Sequence, residues 1–482
     1  MFEGKNKKKL LIGSISITSA FLLFAASMVP TMYVIPSDEK PKIVNTSVEW
    51  DIIVPDDYKS IFDALNNAEP YDRIFIRSGQ YSSFSMIRAG INIKKEGLEL
   101  CGEDKNDTII NNHGLRALSI LADYVKISGF TIKNSLVNSS VISIYSNYCN
   151  ISDNIFDNRD YYDGFEYVLT MYNANYNNFY NNEFSGGDKA VDLQNSNYNF
   201  FYNNIIENSD YSINVDGSSF LKFIRFFSKE IQEQIYDSLS DGNVFIKNTI
   251  RKCLRNVDFD GCSNTIFENN SIKIDYNSAL RINNCINMSI CNNSFWRGGI
   301  TIAGKEEFNF YHTISGNTIA NKPIYYLKDE SDIKIENDVG QIILFNCEEI
   351  EISNVIIVGS STAVFIAYSE DVFVYNSEFT SNNKGVVLYY SEFCSVTENN
   401  FVDNLIHASF LSKGFRRARS NYWRDNYWGK TIGEKNVRFQ IFKKDIYGGY
   451  KLSHPLGIIK GFGLVFPMKC YDRSPEKDPY II

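Results

Sequence analysis

Hydrophobic and polar positions recur along the chain with a spacing of about 22 residues. The segments Ile151–Phe156, Phe179–Phe184 and Val396–Phe401 read ISDNIF, FYNNEF and VTENNF, with an apolar residue at each end and asparagine fourth. If the last apolar residue of each segment is taken as an anchor, most anchors from Ile132 onward lie 22 to 24 residues apart. Self-similarity at such a fixed period predicts a repeat protein.

Two further columns of the repeat keep their character from one unit to the next. Fifteen and thirteen residues before each anchor the chain is apolar, as at Val257 and Phe259 before Ile272. Alternation with a period of two predicts a strand with these side chains pointing inward. Ten residues before the anchor the side chain is small, which predicts a tight interior corner. This column contains Ala122, Ser146, Ala174, Ser196, Cys262, Cys285, Cys347, Ser369 and Ser391.

Asparagine recurs two residues before the anchor. Asparagine tolerates the left-handed conformation that a sharp turn needs, and stacked amides can hydrogen-bond to one another along a repeat axis. The column is therefore predicted to be structural. It contains Asn154, Asn182, Asn204, Asn248, Asn270, Asn293, Asn317 and Asn399.

These columns predict an all-β parallel solenoid, because an antiparallel sandwich would not keep the same column over so many units. We expect residues 1–35 to be an N-terminal anchor or signal peptide and residues 36–115 a linker with the N-terminal cap. Residues 116–420 form the solenoid in this interpretation, with a helical insertion near 219–240 and another insertion near 322–338. Residues 421–482 are expected to cap its end.

Three segments resemble a known group of proteins. Pro55–Tyr81 resembles the N-terminal cap of the pectin-lyase-like superfamily, with a short helix, a strand and a Gly-x-Tyr. Asn321–Asn354, which begins NKPIYY, and Asn421–Gly429, NYWRDNYWG, resemble segments of NosD-like β-helix surface proteins, which are common in archaea. The resemblance covers roughly Trp50 to Trp428. It implies a right-handed parallel β-helix with coils of about 22 residues, but not a particular chemistry, because one fold carries many functions.

The N-terminus predicts a membrane location. Four lysines between Lys5 and Lys9 precede an uncharged stretch, Leu10–Val29, which has the length of a transmembrane helix of about 20 residues. The lysines should stay inside the cell, so the bulk of the chain would be extracytoplasmic on a single-pass anchor. The alternative is a cleaved signal peptide and a secreted protein, because Ala25–Ser27 offers small residues for cleavage.

Charge and metal-ligand residues narrow the function further. With 48 basic against 57 acidic residues, the chain lacks the basic character of a nucleic-acid binder. The resemblance to NosD-like proteins implies copper delivery, but the four histidines fall in different repeats and columns. Cys262 and Cys285 would be stacked neighbours, and their column indicates small core residues that are not bridged. Nine cysteines without a CxxC pair do not support a zinc site.

The candidate chemistry lies in the segment NVDFDG. Because Val257 and Phe259 point inward, Asp258 and Asp260 point outward. The same outward columns should contain Tyr172, Asp192, Gln194, Asn214, Asp216, Arg281, Asn283, Lys305 and Glu307. Asp216 and Asp260 would then lie on adjacent coils roughly 5 Å apart, where like charges repel and raise the pKa of a carboxyl group. The alternative is an ordinary solvated acidic face.

We expect a glycan, or another cell-surface component, to bind this face without catalysis. Ligand-binding candidates are Tyr172, Asp192, Asp216, Asp258, Asp260 and Arg281. No cofactor is required, although calcium at Asp216 and Asp260 would suit oxygen ligands. A polysaccharide lyase or glycoside hydrolase using Asp216, Asp258, Asp260 and Arg281 is the alternative, and NosD-like copper delivery is the second. The amphipathic pattern between Phe220 and Leu239 predicts a helix that either packs against the solenoid or forms a wall of the groove.

Overall fold

The computed structural model describes most of the chain after residue 48. The described residues are 49–82, 90–112, 116–134, 140–158, 166–217, 242–274, 278–304, 306–412, 419–429, 444–452, 464–472, 475–476 and 478–482. The predicted anchor and the predicted helical insertion near 219–240 lie outside them. Trp50–Ile482 is one compact unit. Within the described part of the chain, no helix has the length and apolar character that crossing a membrane requires.

Three parallel sheets wind around one core between residues 52 and 319 and form the N-terminal stack. We call them sheets A, B and C and give their strands below. Each full coil adds one strand to C, then one to A, then one to B, so neighbouring strands in a sheet come from successive coils. Sheet A contains Ile52–Val54, Arg73–Ile76, Glu99–Gly102, Lys126–Ser128, Asn150–Ser152, Asn178–Tyr180, Phe200–Tyr202, Val244–Ile246, Ile266–Glu268, Ser289–Cys291 and Thr313–Ser315. Sheet B contains Gly79–Tyr81, Thr108–Asn112, Thr131–Asn134, Ile155–Asn158, Glu183–Gly186, Ile205–Glu207, Thr249–Arg251, Ser271–Lys273, Ser294–Phe295 and Thr318–Ile319. Sheet C contains Ile91–Ile93, Arg116–Ile120, Ser140–Ile144, Tyr167–Tyr172, Lys189–Gln194, Tyr211–Asp216, Val257–Asp260, Leu280–Asn283 and Ile300–Ala303.

Large apolar side chains from successive coils stack on one another inside this core. The ring of Phe179 lies on that of Phe201 with centroids 4.4 Å apart, and Phe201 lies on Phe245 at 4.9 Å. Full burial of such a side chain contributes about 1.5–3 kcal/mol, and the parallel register repeats this gain in every coil. The period of the apolar columns in the sequence is therefore the length of chain in one coil.

A short helix lies at the start of the N-terminal stack. Helix α1, Ile61–Asn67, begins after Ser60, whose side chain accepts a hydrogen bond from the backbone N–H of Asp63 at 3.1 Å. The cap satisfies one of the free N–H groups of the first turn. The face of α1 that turns toward the sheets buries Ile61, Ala64 and Leu65.

The coils begin earlier than the predicted boundary at residue 116. Strand Ile52–Val54 already pairs in parallel with Arg73–Ile76. The asparagine column starts later, because Thr108 occupies its position two residues before Ile110, the partner of the first anchor. A repeat search that depends on asparagine therefore misses the first coils.

A hairpin starts a second, C-terminal stack. Thr318–Ile319 pairs antiparallel with Lys322–Lys328 around Ala320 and Asn321, whose φ angles are 48° and 66°. The segment near 322–338, expected to be an insertion, thus supplies the first strands of this stack. Sheet D contains Lys322–Lys328, Gln341–Phe345, Thr362–Ala367, Lys384–Tyr389, Ile406–Ser412, Lys444–Leu452 and Leu464–Asp472, the last strand antiparallel. Sheet E contains Lys334–Asn337, Glu351–Val358, Phe373–Tyr375, Ser395–Thr397 and Tyr422–Arg424. Sheet F contains the second half of Glu351–Val358, Glu378–Thr380 and Asn400–Val402.

The two stacks have separate cores and meet through the outer face of sheet D. Ile342 and Leu344 belong to the core of the C-terminal stack, whereas Ile343 and Phe345, on the same strand, belong to the core of the N-terminal stack. The ring of Phe310 stacks on Phe345 with centroids 5.7 Å apart. This strand of sheet D is thus apolar on both faces, as strands covered on both sides are.

The C-terminal segment packs against the end of the second stack. Trp428 is fully buried and stacks on Phe401, with ring centroids 4.5 Å apart. Asp472 is also fully buried and accepts hydrogen bonds from Nδ2 of Asn426 at 3.1 Å and Nε1 of Trp428 at 3.0 Å. This is the part of the fold that the sequence assigns to residues 421–482 as a cap.

The small-residue column lies inside the coils. The backbone N–H of Cys262 donates to Sγ of Cys285 at 3.4 Å, and both side chains are buried. The two sulfurs are neighbours on adjacent coils and are not bonded to each other. Eight cysteines are free thiols: Cys101, Cys149, Cys253, Cys262, Cys285, Cys291, Cys347 and Cys394.

Candidate functional site

Two outward columns run across sheet C and bring the candidate aspartates together. The parallel register pairs Asp216 with Asp260 and Asp258 with Arg281. One column contains Thr170, Asp192, Asn214, Asp258, Arg281 and Thr301, and the other contains Tyr172, Gln194, Asp216, Asp260, Asn283 and Ala303. We call the surface formed by Asp216, Asp258, Asp260, Arg281 and Asn283 the carboxylate face.

The last row of these columns differs from the prediction. Thr301 and Ala303 occupy it, as partners of Arg281 and Asn283, where the sequence predicted Lys305 and Glu307. Counting back from the anchor of this coil, Ile319, gives the wrong residues. A short 3-10 helix, Glu307–Phe310, lies between two strands of the coil and lengthens their connection. Lys305 is outside the described residues.

Asp258 is the most unusual member of the carboxylate face. Its side chain is only 14% exposed, and Oδ1 lies 3.3 Å from Nε of Arg281. This buried oxygen nevertheless accepts no hydrogen bond. Burial raises the pKa of the Asp258 carboxyl; Arg281 opposes the rise and the Asp260 carboxylate adds to it. A buried carboxylate oxygen without a hydrogen bond is costly, and the positive charge of Arg281 offsets part of that cost.

Asp260 and Asp216 are neighbours on adjacent coils. Asp260 accepts a hydrogen bond from Nδ2 of Asn283 at 2.8 Å and a longer one from Nδ2 of Asn284 at 3.4 Å. Both aspartates are partly exposed. Strand spacing within a sheet is roughly 4.8 Å, so the two carboxylates and Asp258 form a compact acidic group. The outward alternation read from NVDFDG therefore corresponds to the geometry of the sheet.

Asp192 is buried, contrary to its assignment to a ligand-facing groove. Its side chain is 1% exposed and is held by Nζ of Lys189 at 2.9 Å, Nε2 of Gln194 at 2.8 Å and Nδ2 of Asn214 at 2.6 Å. Burial lowers the pKa of Lys189, but the Asp192 carboxylate outweighs it and the pKa is raised. Alternation along the strand places Asp192 on the outer side of the sheet. The three side chains that donate hydrogen bonds to its carboxylate also cover it, so it is buried.

Tyr172 marks the far end of the face. Its side chain is 53% exposed, and its strand neighbour in the next coil is Gln194. It lies three coils from Asp260, in the same column. The tyrosine ring is therefore an accessible apolar surface at the end of a row of hydrogen-bonding groups.

A cavity of about 500 Å³ lies at the other end of the face. Asn283, Thr301 and Ala303 line it from sheet C, and Lys384 and Tyr389 line it from sheet D. The volume falls in the range of small-molecule sites, roughly 300–1,000 Å³. Sequence reasoning missed this cavity, because it forms only where the two stacks meet. The one available signal was the anomalous spacing of the repeat after Ile319.

The asparagine column forms a buried ladder. In the N-terminal stack each Nδ2 donates to Oδ1 of the asparagine in the next coil at 3.0–3.2 Å, through Asn154, Asn182, Asn204, Asn248, Asn270, Asn293 and Asn317. Asn399 donates in the same way to Asn426 at 3.1 Å. The positive φ lies one residue earlier, as at Asn292 and Glu398. The ladder residues thus serve the turn through hydrogen bonds and not through their own left-handed conformation. A second ladder, which the sequence analysis missed, contains Asn177, Asn199 and Asn243.

The carboxylate and histidine side chains of the described residues offer few ligands for a metal ion. In the described ranges, no group of three or more His, Cys, Asp or Glu side chains is arranged to hold a metal ion. Asp216 and Asp260 supply two carboxylates, where calcium takes six to eight oxygens. His312 is buried, its Nδ1 accepts from the backbone N–H of Met288 at 3.3 Å, and burial lowers its pKa to about 4. His407 lies in the C-terminal stack beside Asn404, and the other two histidines are outside the described residues. The two described histidines, His312 and His407, do not belong to a group of metal-binding side chains.

Comparisons with known proteins concern the fold of part of the chain. Residues 298–431 match the family model described as a right handed beta helix region. A search of curated proteins found no match. Among solved structures, a pectin methylesterase in complex with hexasaccharide VII is 11% identical, with 64% of this chain and 80% of that chain covered and a TM-score of 0.28. The catalytic domain of a GH87 alpha-1,3-glucanase in complex with nigerose is 14% identical, covering 81% and 71%, with a TM-score of 0.36. A DFA-IIIase from Arthrobacter chlorophenolicus A6 in complex with GF2 is 12% identical, covering 77% and 93%, with a TM-score of 0.36. The match of residues 298–431 and the parallel register of the described sheets agree with a right-handed parallel β-helix.

Proposed function

We propose that the carboxylate face binds a glycan. The observation that carries the proposal is the Asp258–Arg281 pair on an outward face, where the Arg281 side chain is 45% exposed and lies 3.3 Å from a buried carboxylate oxygen that accepts no hydrogen bond. A sugar hydroxyl is a donor and an acceptor at once, so it can accept from Arg281 and, when Arg281 moves aside, donate to Asp258. A neutral polyhydroxylated chain suits this face better than a polyanion, because Asp216 and Asp260 would repel negative charge.

The length of the site also suits a chain-like ligand. The columns extend over several coils from Tyr172 to Thr301, and each coil adds about 4.8 Å. This rise is close to the length of one sugar unit. Tyr172 offers an exposed ring on which the apolar side of a sugar can pack. Calcium is an optional bridge, in which the hydroxyls of the glycan complete the shell begun by Asp216 and Asp260.

Hydrolysis is a second candidate, and the raised pKa of Asp258 favours it. A protonated Asp258 can give its proton to the glycosidic oxygen as the carbon–oxygen bond breaks. Asp260, two residues along the same strand and therefore about 6–7 Å away, can take a proton from the water that attacks the anomeric carbon, as carboxylates at this separation do in inverting glycosidases. The leaving sugar carries the proton of Asp258, and the proton taken by Asp260 passes through solvent to Asp258, so atoms and charges balance.

A glycan array with product analysis separates these functions. The parent should retain one class of neutral glycan, and Asp258→Asn should weaken retention about tenfold or more, because one carboxylate oxygen becomes an NH₂ group and the pair with Arg281 loses its negative charge. Glu268→Gln is the matched control, because Glu268 is a partly exposed carboxylate on sheet A, away from the face. Release of shorter sugars by the parent but not by Asp258→Asn, with binding intact, identifies the hydrolase.

The double variant Asp216→Asn with Asp260→Asn tests whether the carboxylate face binds a ligand or is only a solvated acidic surface. Removing two repelling charges should stabilise the fold slightly, and glycan affinity should fall. Melting of the parent with and without calcium tests the bridging ion in the same experiment. A more stable variant with unchanged glycan binding, and no effect of calcium, would contradict the proposal.

The proposed site faces the outside of the cell on a retained N-terminal anchor. The support is the lysine-flanked apolar stretch at residues 10–29. Native protein should stay in the membrane fraction after alkaline carbonate washing, and deletion of residues 1–35 should release it. Recovery of a mature protein that starts after Ser27 would instead establish a cleaved signal peptide.

A further inference from the structure

The carboxylate face has one closed end, because the C-terminal stack covers its last strand. Gln341, in sheet D, accepts a hydrogen bond from the backbone N–H of Ile300 through Oε1 at 3.0 Å and donates from Nε2 to the Ile300 carbonyl at 2.7 Å. Ser361 donates to the same carbonyl at 3.2 Å. Side chains of the second stack thus occupy backbone groups that another strand of sheet C would use. The sheet ends here, and a bound chain cannot follow its columns further.

The closing surface leaves the cavity of about 500 Å³ between the stacks. Thr301 and Ala303 continue the two columns of the carboxylate face and also line this cavity. Lys384 supplies a cation, and the hydroxyl of Tyr389 donates to the Gly304 carbonyl at 3.0 Å, which fixes its ring against the cavity. The cavity therefore has fixed apolar surfaces and a few polar groups, as pockets for small ligands do.

The opposite end of the face is accessible at Tyr172, which is 53% exposed. The column of Asp258 is closed at this end, because Asp192 and Ser143 are buried. The two ends of the binding surface are therefore different, because one is accessible at Tyr172 and the other ends in a cavity.

We infer that the cavity holds the terminal sugar of a neutral glycan, so that the protein recognises a chain end and not the middle of a chain. The inference rests on the proposed glycan binding. A volume of about 500 Å³ has room for one or two sugar rings but not for a chain that passes through, because sheet D lies across the exit. Internal units then lie along Arg281, Asp258 and Asp260 toward Tyr172.

The test uses the full chain and a panel of glucohexaoses and mannohexaoses of different linkage. Each hexaose is offered free, with a bulky fluorophore on the reducing end, and with a bulky substituent on the non-reducing end. For every hexaose that binds, one of the two modifications should weaken binding at least tenfold and the other should have little effect. Equal binding of both modified forms overturns the inference and leaves the proposed function standing. Binding of none of the hexaoses overturns both.

Filling the cavity gives an independent measurement. Ala303→Trp should lose at least tenfold in affinity for the free hexaose, whereas Glu268→Gln should bind as the parent does. Lys384→Met is the milder variant for use if the tryptophan variant does not fold, and it should weaken binding and reduce the discrimination between the two ends. On a long polymer, bound protein should rise with the number of chain ends after partial cleavage. Binding that instead follows total mass would contradict end recognition.

Discussion

Replacing Asn293 by leucine should break the ladder of the N-terminal stack at one rung. Asn293 is 1% exposed; its Nδ2 donates to the Phe267 carbonyl at 2.8 Å and to Oδ1 of Asn317 at 3.0 Å. Its Oδ1 accepts from the backbone N–H of Asn270 at 2.9 Å and from Nδ2 of Asn270 at 3.0 Å. Leucine has nearly the same volume but makes none of these four bonds, and it leaves their partners buried.

The magnitude follows from these contacts. Each lost hydrogen bond costs about 1 kcal/mol, and an unsatisfied buried partner costs up to about 3 kcal/mol. Burial of the leucine side chain returns about 1.5–3 kcal/mol. The net loss in free energy of unfolding should be about 1–3 kcal/mol. Asn292→Asp is the matched control, since Asn292 is the exposed neighbour with positive φ, where aspartate is also tolerated.

The assay is urea unfolding followed by circular dichroism, combined with hydrogen exchange of the Asn270 amide. The leucine variant should unfold at lower urea, and the Asn270 amide should exchange about tenfold faster or more, whereas amides around Asn399 in the other stack should not change. Coils contact chiefly their neighbours, so the damage should stay local. A variant with the urea midpoint and Asn270 exchange of the parent would refute the ladder as a source of stability.

Three shorter predictions concern titration and the buried thiols. Burial raises the pKa of Asp258 above its ordinary value, so the folded state holds the extra proton and stability should fall as pH rises through that range; Asp258→Asn should flatten this part of a melting-temperature profile. The pKa of His312 is lowered to about 4, so stability should fall as pH drops from about 6.5 toward 4. His312→Asn keeps an acceptor for the Met288 amide and should remove this pH dependence, so a profile as steep as that of the parent would contradict the explanation. Cys285→Ser should change the free energy of unfolding by less than about 1 kcal/mol, and mass spectrometry of intact protein should show no bond between Cys262 and Cys285; a bridged pair would contradict the packing explanation.

The repeat in the sequence determined the coil and the direction of its side chains. Each unit has to bury its own apolar column on the next, so periodicity, inward residues such as Phe259, and the asparagine ladder are all properties of one coil and its neighbour. For the same reason the outward position of Asp258 and Asp260, and the alignment of Asp260 with Asp216, followed from alternation and the repeat length. The residues of one coil and of the coil next to it are enough to determine these features.

Tertiary contacts decided what the local pattern does not contain. Asp192 alternates outward like the other aspartates, yet Lys189, Gln194 and Asn214 surround it, and their donors make it a buried partner instead of a ligand contact. The chain reverses at Ala320 and builds a second core because sheet D covers the last coil of the N-terminal stack. The cavity beside the carboxylate face is formed by residues more than 80 positions apart, such as Tyr389 and Gly304. No periodicity within a coil encodes such a meeting, because it is set by how two finished stacks pack against each other.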